Sequence, residues 1–118
     1  MQIKFILGEN VLSAAMNNTK TARDFLALLP QEVTLTDYAQ KEKIFNLPSR
    51  LSTEGAPSGA KPKAGDIAYY APWGNIAIFY KDAPYADGLI IGHVANGLNK
   101  FEKAENDFTI RIERVENN

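Results

Sequence analysis

The chain has 118 residues, 45% of them hydrophobic, and its 13 basic and 14 acidic side chains leave a formal net charge of −1. This length favours one domain, over residues 1–118, that can bury a sizeable core. The balanced, scattered charge argues against a nucleic-acid partner. The lack of cysteine and the single histidine exclude disulfides, thiolate sites and multi-histidine metal sites, so we expect neither a metal nor a cofactor.

The first thirty residues predict a hairpin followed by a helix. Two apolar runs, 2–7 and 11–16, flank a Gly-Glu-Asn connection of hairpin length. Thr19 can cap a helix. The apolar residues that follow it at helical spacing are Ala22, Phe25, Leu26 and Leu29. One main amphipathic helix is therefore predicted over about 19–29, ending before Pro30, which cannot continue a helix.

The next segment predicts two strands and then an irregular stretch. Residues 32–38 alternate between apolar and polar side chains, with Val33 and Leu35 facing inward, and a further short strand is expected at 43–45. Proline, glycine and serine crowd into residues 47–64, which show no sustained periodicity. Long irregular segments in compact domains are often functional, so this one is a candidate wall of a binding site.

Residues 65–80 predict a second β-hairpin, in which two runs of β-formers flank a Pro-Trp-Gly-Asn corner. Side chains alternate along a strand, so one face of the second run carries Ile76, Ile78 and Tyr80 and the other carries Ala77 and Phe79. Apolar side chains on both faces are typical of a sheet that closes into a barrel or is covered on its second side.

The last part of the chain predicts two more strands around a short helical turn. Residues 89–95 form an apolar run interrupted by Gly92, which often marks a bulge. A helical turn is expected at 97–102, and residues 107–115 alternate strictly. The chain is thus predicted to be mostly β, with about eight strands, one main helix and one short helical turn.

Three stretches together resemble a known family. They are residues 22–30, which include Ala-Arg-Asp-Phe, residues 51–57, which read Leu-Ser-Thr-Glu-Gly-Ala-Pro, and residues 65–80. Over nearly its full length the chain resembles bacterial cyclophilin-like proteins, a small and mostly uncharacterised group distinct from the peptidyl-prolyl isomerases proper. The resemblance implies a closed, eight-stranded antiparallel barrel capped by helix.

A fainter resemblance connects residues 65–71 and 74–79 with the two strands that line the proline-binding groove of true cyclophilins. It implies that four residues face such a groove: Tyr70, Ala71, Ile76 and Ile78. The Phe-His-Arg segment that carries the catalytic arginine of that family is not recognisable here. Arg50 is the nearby arginine that could replace it.

Three side chains carry alternatives that the sequence leaves open. Arg50 could donate to the amide nitrogen of a proline peptide, or it could be an ordinary surface arginine. Trp73 could stack on a ligand or fold back over the end of the barrel. Glu54 could bind a ligand cation, orient Arg50, or bond to amides of its own loop.

We interpret the chain as a binding module that recognises a peptide segment or small ligand in an apolar, aromatic groove. The alternatives are a peptidyl-prolyl isomerase of low or altered activity, and a regulatory partner with an exposed patch around Trp73 and Tyr85. No apolar run approaches the roughly 20 residues that cross a bilayer, and the first residues lack a cleavable-signal pattern. We therefore expect no membrane partner, a monomer or weak homo-oligomer, and a cytoplasmic protein, or a periplasmic one if a signal has been removed.

Overall fold

The structure is a computed structural model that describes residues 1–56, 59–104 and 106–115. Within these ranges the chain forms eight strands and two helices. The strands are β1 (Gln2–Leu7), β2 (Asn10–Met16), β3 (Gln31–Tyr38), β4 (Glu42–Asn46), β5 (Asp66–Tyr70), β6 (Asn75–Phe79), β7 (Gly88–Val94) and β8 (Phe108–Arg114). The helices are α1 (Lys20–Ala27) and α2 (Leu98–Lys103).

The strands close into a barrel in the order β1-β2-β7-β5-β6-β4-β3-β8. Every neighbouring pair is antiparallel. The register between β5 and β7 shifts beside Gly92, where the sequence predicted a bulge. The predicted eight-stranded antiparallel barrel is therefore confirmed.

The hairpin of β5 and β6 has the two apolar faces that its alternation predicted. Ile67, Tyr69, Ile76 and Ile78 belong to the main core, and each is at most 1% exposed. Ala68, Ala77 and Phe79 form a second, smaller apolar cluster on the opposite face of the same strands. One face of the β5–β6 hairpin thus fills the barrel, and the opposite face contributes to the outer surface of the barrel.

The two helices cover different parts of the barrel interior. Helix α1 begins after Thr19, whose hydroxyl accepts a hydrogen bond from the amide of Ala22, and it buries Phe25 beside Phe45 with ring centroids 6.5 Å apart. Helix α2 buries Phe101 edge-on against Phe5, at 5.5 Å between centroids. Both predicted helical segments are confirmed.

The segment between β4 and β5 forms no helix or strand in its described part, as predicted; Pro57 and Ser58 lie outside the described residues. It is tied to α1, because the amide of Ser52 donates to Asp24 Oδ2 at 2.8 Å. Leu51 inserts into the main core. Neither described helix has the length and apolarity needed to cross a membrane.

Candidate ligand-binding groove

A groove of about 330 Å³ lies on the outer face of the wall formed by β4, β6 and β5. Its floor consists mainly of small residues, because Ala68 and Ala77 face each other in the register of β5 and β6, and Gly88 begins β7 beside them. Phe79 extends the floor toward β4. The small side chains of the floor leave the groove open, and larger residues around them line its sides.

Aromatic side chains form one wall of the groove. Trp73, at the β5–β6 corner, packs edge-to-face against Tyr38 and Tyr70, with ring centroids 5.8 Å and 5.4 Å apart. Trp73 is nevertheless 58% exposed and Tyr38 is 46% exposed. Tyr85, which is 62% exposed, lines the groove from the β6–β7 loop. These rings offer apolar surface that nothing in the described chain covers.

Asn75 lines the groove at the first position of β6 and is only 3% exposed. Its side-chain Oδ1 is the one buried side-chain polar atom without a hydrogen-bond partner among the described residues. A buried acceptor without a donor destabilises a fold by about 1–3 kcal/mol. Such a group is unusual in a native structure and points to a missing partner.

Glu42 is the groove's carboxylate. It begins β4, pairs in register with Tyr38 of β3 and Phe79 of β6, and is half-buried. Burial raises the pKa of Glu42 to about 7, with a smaller contribution from the negative charge of Asp37. No ion pair between described residues involves Glu42. A carboxylate in this position lacks the counter-charge that normally accompanies burial.

The adjacent residue, Lys43, points into the barrel and is 2% exposed. Its ammonium lies 3.1 Å from Asp37 Oδ1 and donates to the carbonyl of Ala104 at 2.8 Å. The same ammonium lies 5.5 Å from the ring centroid of Tyr80, and the Tyr80 hydroxyl donates to Asp37. This cluster of Lys43, Asp37 and Tyr80 is fully partnered, so it stabilises the fold and offers no free group to a ligand.

The cluster also sets the ionisation of its members. Burial raises the pKa of Tyr80 far above its usual range, and the hydrogen bond to Asp37 adds to this effect. Burial alone would raise the pKa of Asp37, but hydrogen bonds from Tyr80 and Lys43 outweigh it and hold that pKa below its usual value. Both pKa shifts favour a neutral Tyr80 hydroxyl that donates and a charged Asp37 carboxylate that accepts, as the hydrogen bond between them requires.

Two of the predicted binding residues, Tyr70 and Trp73, line the groove. Ile76 and Ile78, which the resemblance placed in a proline-binding groove, do not line this one. Both are completely buried in the main core, because the alternation of β6 directs Ala77 and Phe79 outward instead. The face of β6 that carries Ala77 and Phe79 therefore lines this groove, and the face that carries Ile76 and Ile78 fills the barrel.

The remaining predicted residues, Arg50, Glu54 and Ala71, do not line the groove. Arg50 is exposed, and its Nη1 donates to the carbonyl of Ala71 at 2.6 Å, so the two meet at the β5–β6 corner one residue from Tyr70. Glu54 is exposed in the irregular segment, where its backbone amide donates to Ser52 Oγ at 3.2 Å. Arg50 thus holds the corner in place.

Sequence reasoning missed Glu42, Asn75 and Tyr38. Asn75 was counted as a turn residue of the Pro-Trp-Gly-Asn corner, although it pairs with Asn46 and Tyr70 as part of the sheet. Glu42 shares the outward face of β4 with Ile44, and extending the predicted strand 43–45 by one residue toward the N-terminus would have found it.

A second outward-facing polar pair lies away from this groove. His93 Nδ1 lies 2.9 Å from Asp66 Oδ1, across the register of β7 and β5. The other carboxylate oxygen of Asp66 accepts from the amide of Lys63. The pairing of β5 with β7 thus supplies a partner for the chain's single histidine.

Comparisons with known proteins agree with this architecture. Residues 5–113 match the model of the Cyclophilin-like family, and the chain belongs to that family. The solution structure of a hypothetical protein from Archaeoglobus fulgidus has the same fold. It aligns with a TM-score of 0.68 and 19% sequence identity, over 98% of this chain and 95% of the archaeal one. No curated protein matches the chain.

Proposed function

We propose that the protein is a binding module whose outer groove takes an apolar segment of a peptide or a small molecule. The observation that carries this proposal is the combination of exposed aromatic side chains with the buried, unpartnered side-chain oxygen of Asn75 in one groove of about 330 Å³. Ligand sites in proteins are typically apolar clefts of about 300–1,000 Å³ with a few placed polar groups.

The arrangement of the groove favours a ligand that is narrow where it meets the sheet. The small residues Ala68, Ala77 and Gly88 leave space above the floor, and Trp73 and Tyr85 provide apolar contact from the sides. Burial of the ligand's apolar surface against these rings supplies affinity, at roughly 25 cal/mol per Å² before the cost of association. Asn75 then fixes its orientation.

The position of Arg50 supports binding without turnover over prolyl isomerisation. An isomerase needs a donor aimed at the amide nitrogen of a proline bound in the groove, because the barrier of about 18–20 kcal/mol falls only through contacts stronger in the transition state. The Arg50 guanidinium is bonded to the Ala71 carbonyl at the corner, and Arg50 is not a lining residue.

The groove can be tested by filling it. Ala77→Leu places a larger side chain on the floor, and Ala15→Leu makes the same change at an exposed position of β2. The probes are blocked alanine pentapeptides that carry proline, leucine or lysine at the centre, titrated by the fluorescence of Trp73, the chain's single tryptophan. Binding to wild type and Ala15→Leu, with a loss of at least about tenfold in Ala77→Leu, is expected.

Two results would overturn this proposal. One is equal binding by Ala77→Leu and Ala15→Leu, with each variant shown to be folded by its amide NMR spectrum. The other is a set of ligand-induced amide shifts that avoids β4, β5 and β6. Because Ala77→Leu could disturb the sheet, Ala77→Val serves as a milder second variant, for which an intermediate loss is expected.

A further inference from the structure

Both polar groups that the groove leaves without a partner are hydrogen-bond acceptors. Asn75 Oδ1 has no donor among the described residues, and the carboxylate of Glu42 has no ion pair there. The two share the outer face of this part of the sheet, because Glu42 is the register partner of Phe79, and Asn75 alternates in phase with Ala77 and Phe79. They lie at opposite ends of the β4–β6 pair, since Asn75 is the register partner of Asn46. A ligand that compensates both must therefore bring N–H or O–H donors.

The aromatic wall adds a preference for positive charge. Tyr38 lies directly across from Glu42 in the register of β3 and β4, and Trp73 packs edge-on against Tyr38. Aromatic faces attract ammonium and guanidinium groups within about 6 Å of the ring centroid, and tryptophan is the strongest of them. The groove thus combines a carboxylate with exposed aromatic rings, the two elements that recognise an organic cation.

We propose that the ligand of this groove carries an alkylammonium or guanidinium group, held between Glu42 and the rings of Tyr38 and Trp73. A second N–H donor of the ligand pairs with Asn75. This inference rests on the proposed function of the groove and specifies its ligand class. The Lys43 ammonium cannot serve instead, because it points into the barrel and is bonded to Asp37 and Ala104.

Other ligand classes fit the same groove less well. An anion would meet the carboxylate of Glu42. A purely apolar ligand would cover Asn75 and Glu42 and remove water from both without replacing its hydrogen bonds, which is costly. A cation with N–H donors offers hydrogen bonds to both groups and, unlike a neutral donor, also a counter-charge for Glu42.

One positive charge already lies at the groove. Lys41 is half-buried, lines the groove beside Glu42, and forms no ion pair with it among the described residues. Its flexible ammonium competes with a bound cation by repulsion. Two neighbouring substitutions should therefore have opposite effects. Removal of the Glu42 charge should weaken binding of a cation, and removal of the Lys41 charge should strengthen it.

The experiment compares charged probes with neutral probes of the same shape. The first pair is a blocked pentapeptide with lysine at the centre and alanine elsewhere, and the same peptide with norleucine in place of lysine. The second pair is n-butylammonium and n-butanol, which test whether a free small cation suffices. Binding is followed by amide NMR shifts, which detect weak complexes, for the full chain at pH 8.

Four variants accompany the wild type. Glu42→Gln removes the proposed counter-charge without changing shape, and Glu9→Gln makes the same change at an exposed turn far from the groove. Lys41→Ala removes the competing cation. Asn75→Ala removes the unpartnered acceptor, and its control is Asn46→Ala, the exposed register neighbour of Asn75.

The proposal expects the lysine peptide to bind at least about tenfold more tightly than the norleucine peptide. Glu42→Gln should abolish that preference, Lys41→Ala should increase it, and Glu9→Gln should leave it unchanged. Asn75→Ala should weaken the lysine peptide about threefold to tenfold, and Asn46→Ala should not. Binding of n-butylammonium would assign the site to small cations, and binding of the peptide alone would assign it to peptide-borne ones.

Equal binding of the lysine and norleucine peptides would overturn the cation proposal and leave the groove as an apolar binding site. Binding of neither peptide nor either small probe would overturn the cation proposal as well. If the proline and leucine peptides also failed to bind, the proposed function would fall with it. A lysine preference that Glu42→Gln retains would place the cation elsewhere and contradict the assignment to this groove.

Discussion

Lys43 and Glu42 are neighbours in β4, and they illustrate two ways to bury a charge. Lys43 points into the barrel, where a carboxylate, a carbonyl and two aromatic rings surround its ammonium. Glu42 points to the outer face, where it has no ion pair among the described residues and where burial raises its pKa to about 7. Lys43 and Glu42 are thus adjacent in sequence but lie on opposite faces of the sheet. The charge of Lys43 is compensated by neighbouring groups, and the charge of Glu42 is not.

The contrast between Lys43 and Glu42 distinguishes a charged residue that stabilises the fold from one that is available to bind a ligand. Burial of a charge is costly unless it is paired and hydrogen-bonded, so a paired group such as Lys43 is explained by the fold itself. The Glu42 carboxylate and the Asn75 Oδ1 atom are not explained in this way, because the described residues supply no ion pair to the first and no hydrogen-bond donor to the second. We therefore expect mutations at Lys43 to affect stability, and mutations at Glu42 to affect binding and the dependence of stability on pH.

The largest expected effect comes from breaking the inner cluster. Lys43→Met removes the ion pair with Asp37 and leaves the carbonyl of Ala104 without its donor. Loss of one partner of a buried pair costs about 3–5 kcal/mol. Because Asp37 is partly exposed and keeps the bond from Tyr80, we expect the free energy of unfolding to fall by about 2–3 kcal/mol in urea denaturation.

The control for Lys43→Met is Lys4→Met. Lys4 lies 3.5 Å from Glu113, and its side chain is 40% exposed, so the same substitution there should cost less than about 1 kcal/mol. Equal stabilities for the two variants would contradict the structural role of Lys43. Affinity for the lysine peptide should change less than about twofold in either variant.

A smaller effect of opposite sign is expected from Glu42→Gln. Folding raises the pKa of Glu42 from its ordinary 4.5 to about 7, so the folded state favours the protonated carboxyl. The resulting stabilisation is complete below pH 4.5 and is lost as the pH rises through 7. Relative to wild type, Glu42→Gln should therefore gain about 1–2 kcal/mol in the free energy of unfolding between pH 4.5 and pH 8, after allowance for partial solvent access.

This prediction is checked by urea denaturation at several pH values, with Glu9→Gln as the control for the same chemical change at an exposed position. Other acidic groups titrate in both proteins, and their contribution cancels in the difference. A constant difference between wild type and Glu42→Gln across this pH range would contradict the burial of an uncompensated carboxylate.

The smallest effect is expected at the corner beside the groove. Arg50→Ala removes one hydrogen bond, from an exposed guanidinium to the Ala71 carbonyl, and should cost about 1 kcal/mol or less. If Arg50 is no isomerase residue, wild type and Arg50→Ala should give the same cis-to-trans exchange rate of a proline peptide in NMR exchange spectra. Catalysis by wild type that Arg50→Ala abolishes would establish the isomerase instead.

Periodicity predicted the barrel well and its outer groove poorly. The alternation of β6 separates Ile76 and Ile78 from Ala77 and Phe79, and the structure confirms those two faces. It cannot tell which face lines a ligand site, because both are apolar. The inward position of Lys43 was also missed, since a lysine fits a barrel interior only when a distant residue, here Asp37 with Ala104, pairs with it.

The most direct test of the account is the titration of the Glu42 carboxyl, followed by carbon NMR and assigned with Glu42→Gln. The groups that face it are Asp37, which raises its pKa, and Lys41 at the groove. We expect a midpoint near pH 7 for the free protein, and a downward shift when the lysine-centred peptide saturates the groove, since a bound cation favours the carboxylate. A midpoint near 4.5 that does not shift when the cation is added would contradict the proposal that Glu42 is a buried, unpaired carboxylate that binds a positively charged ligand.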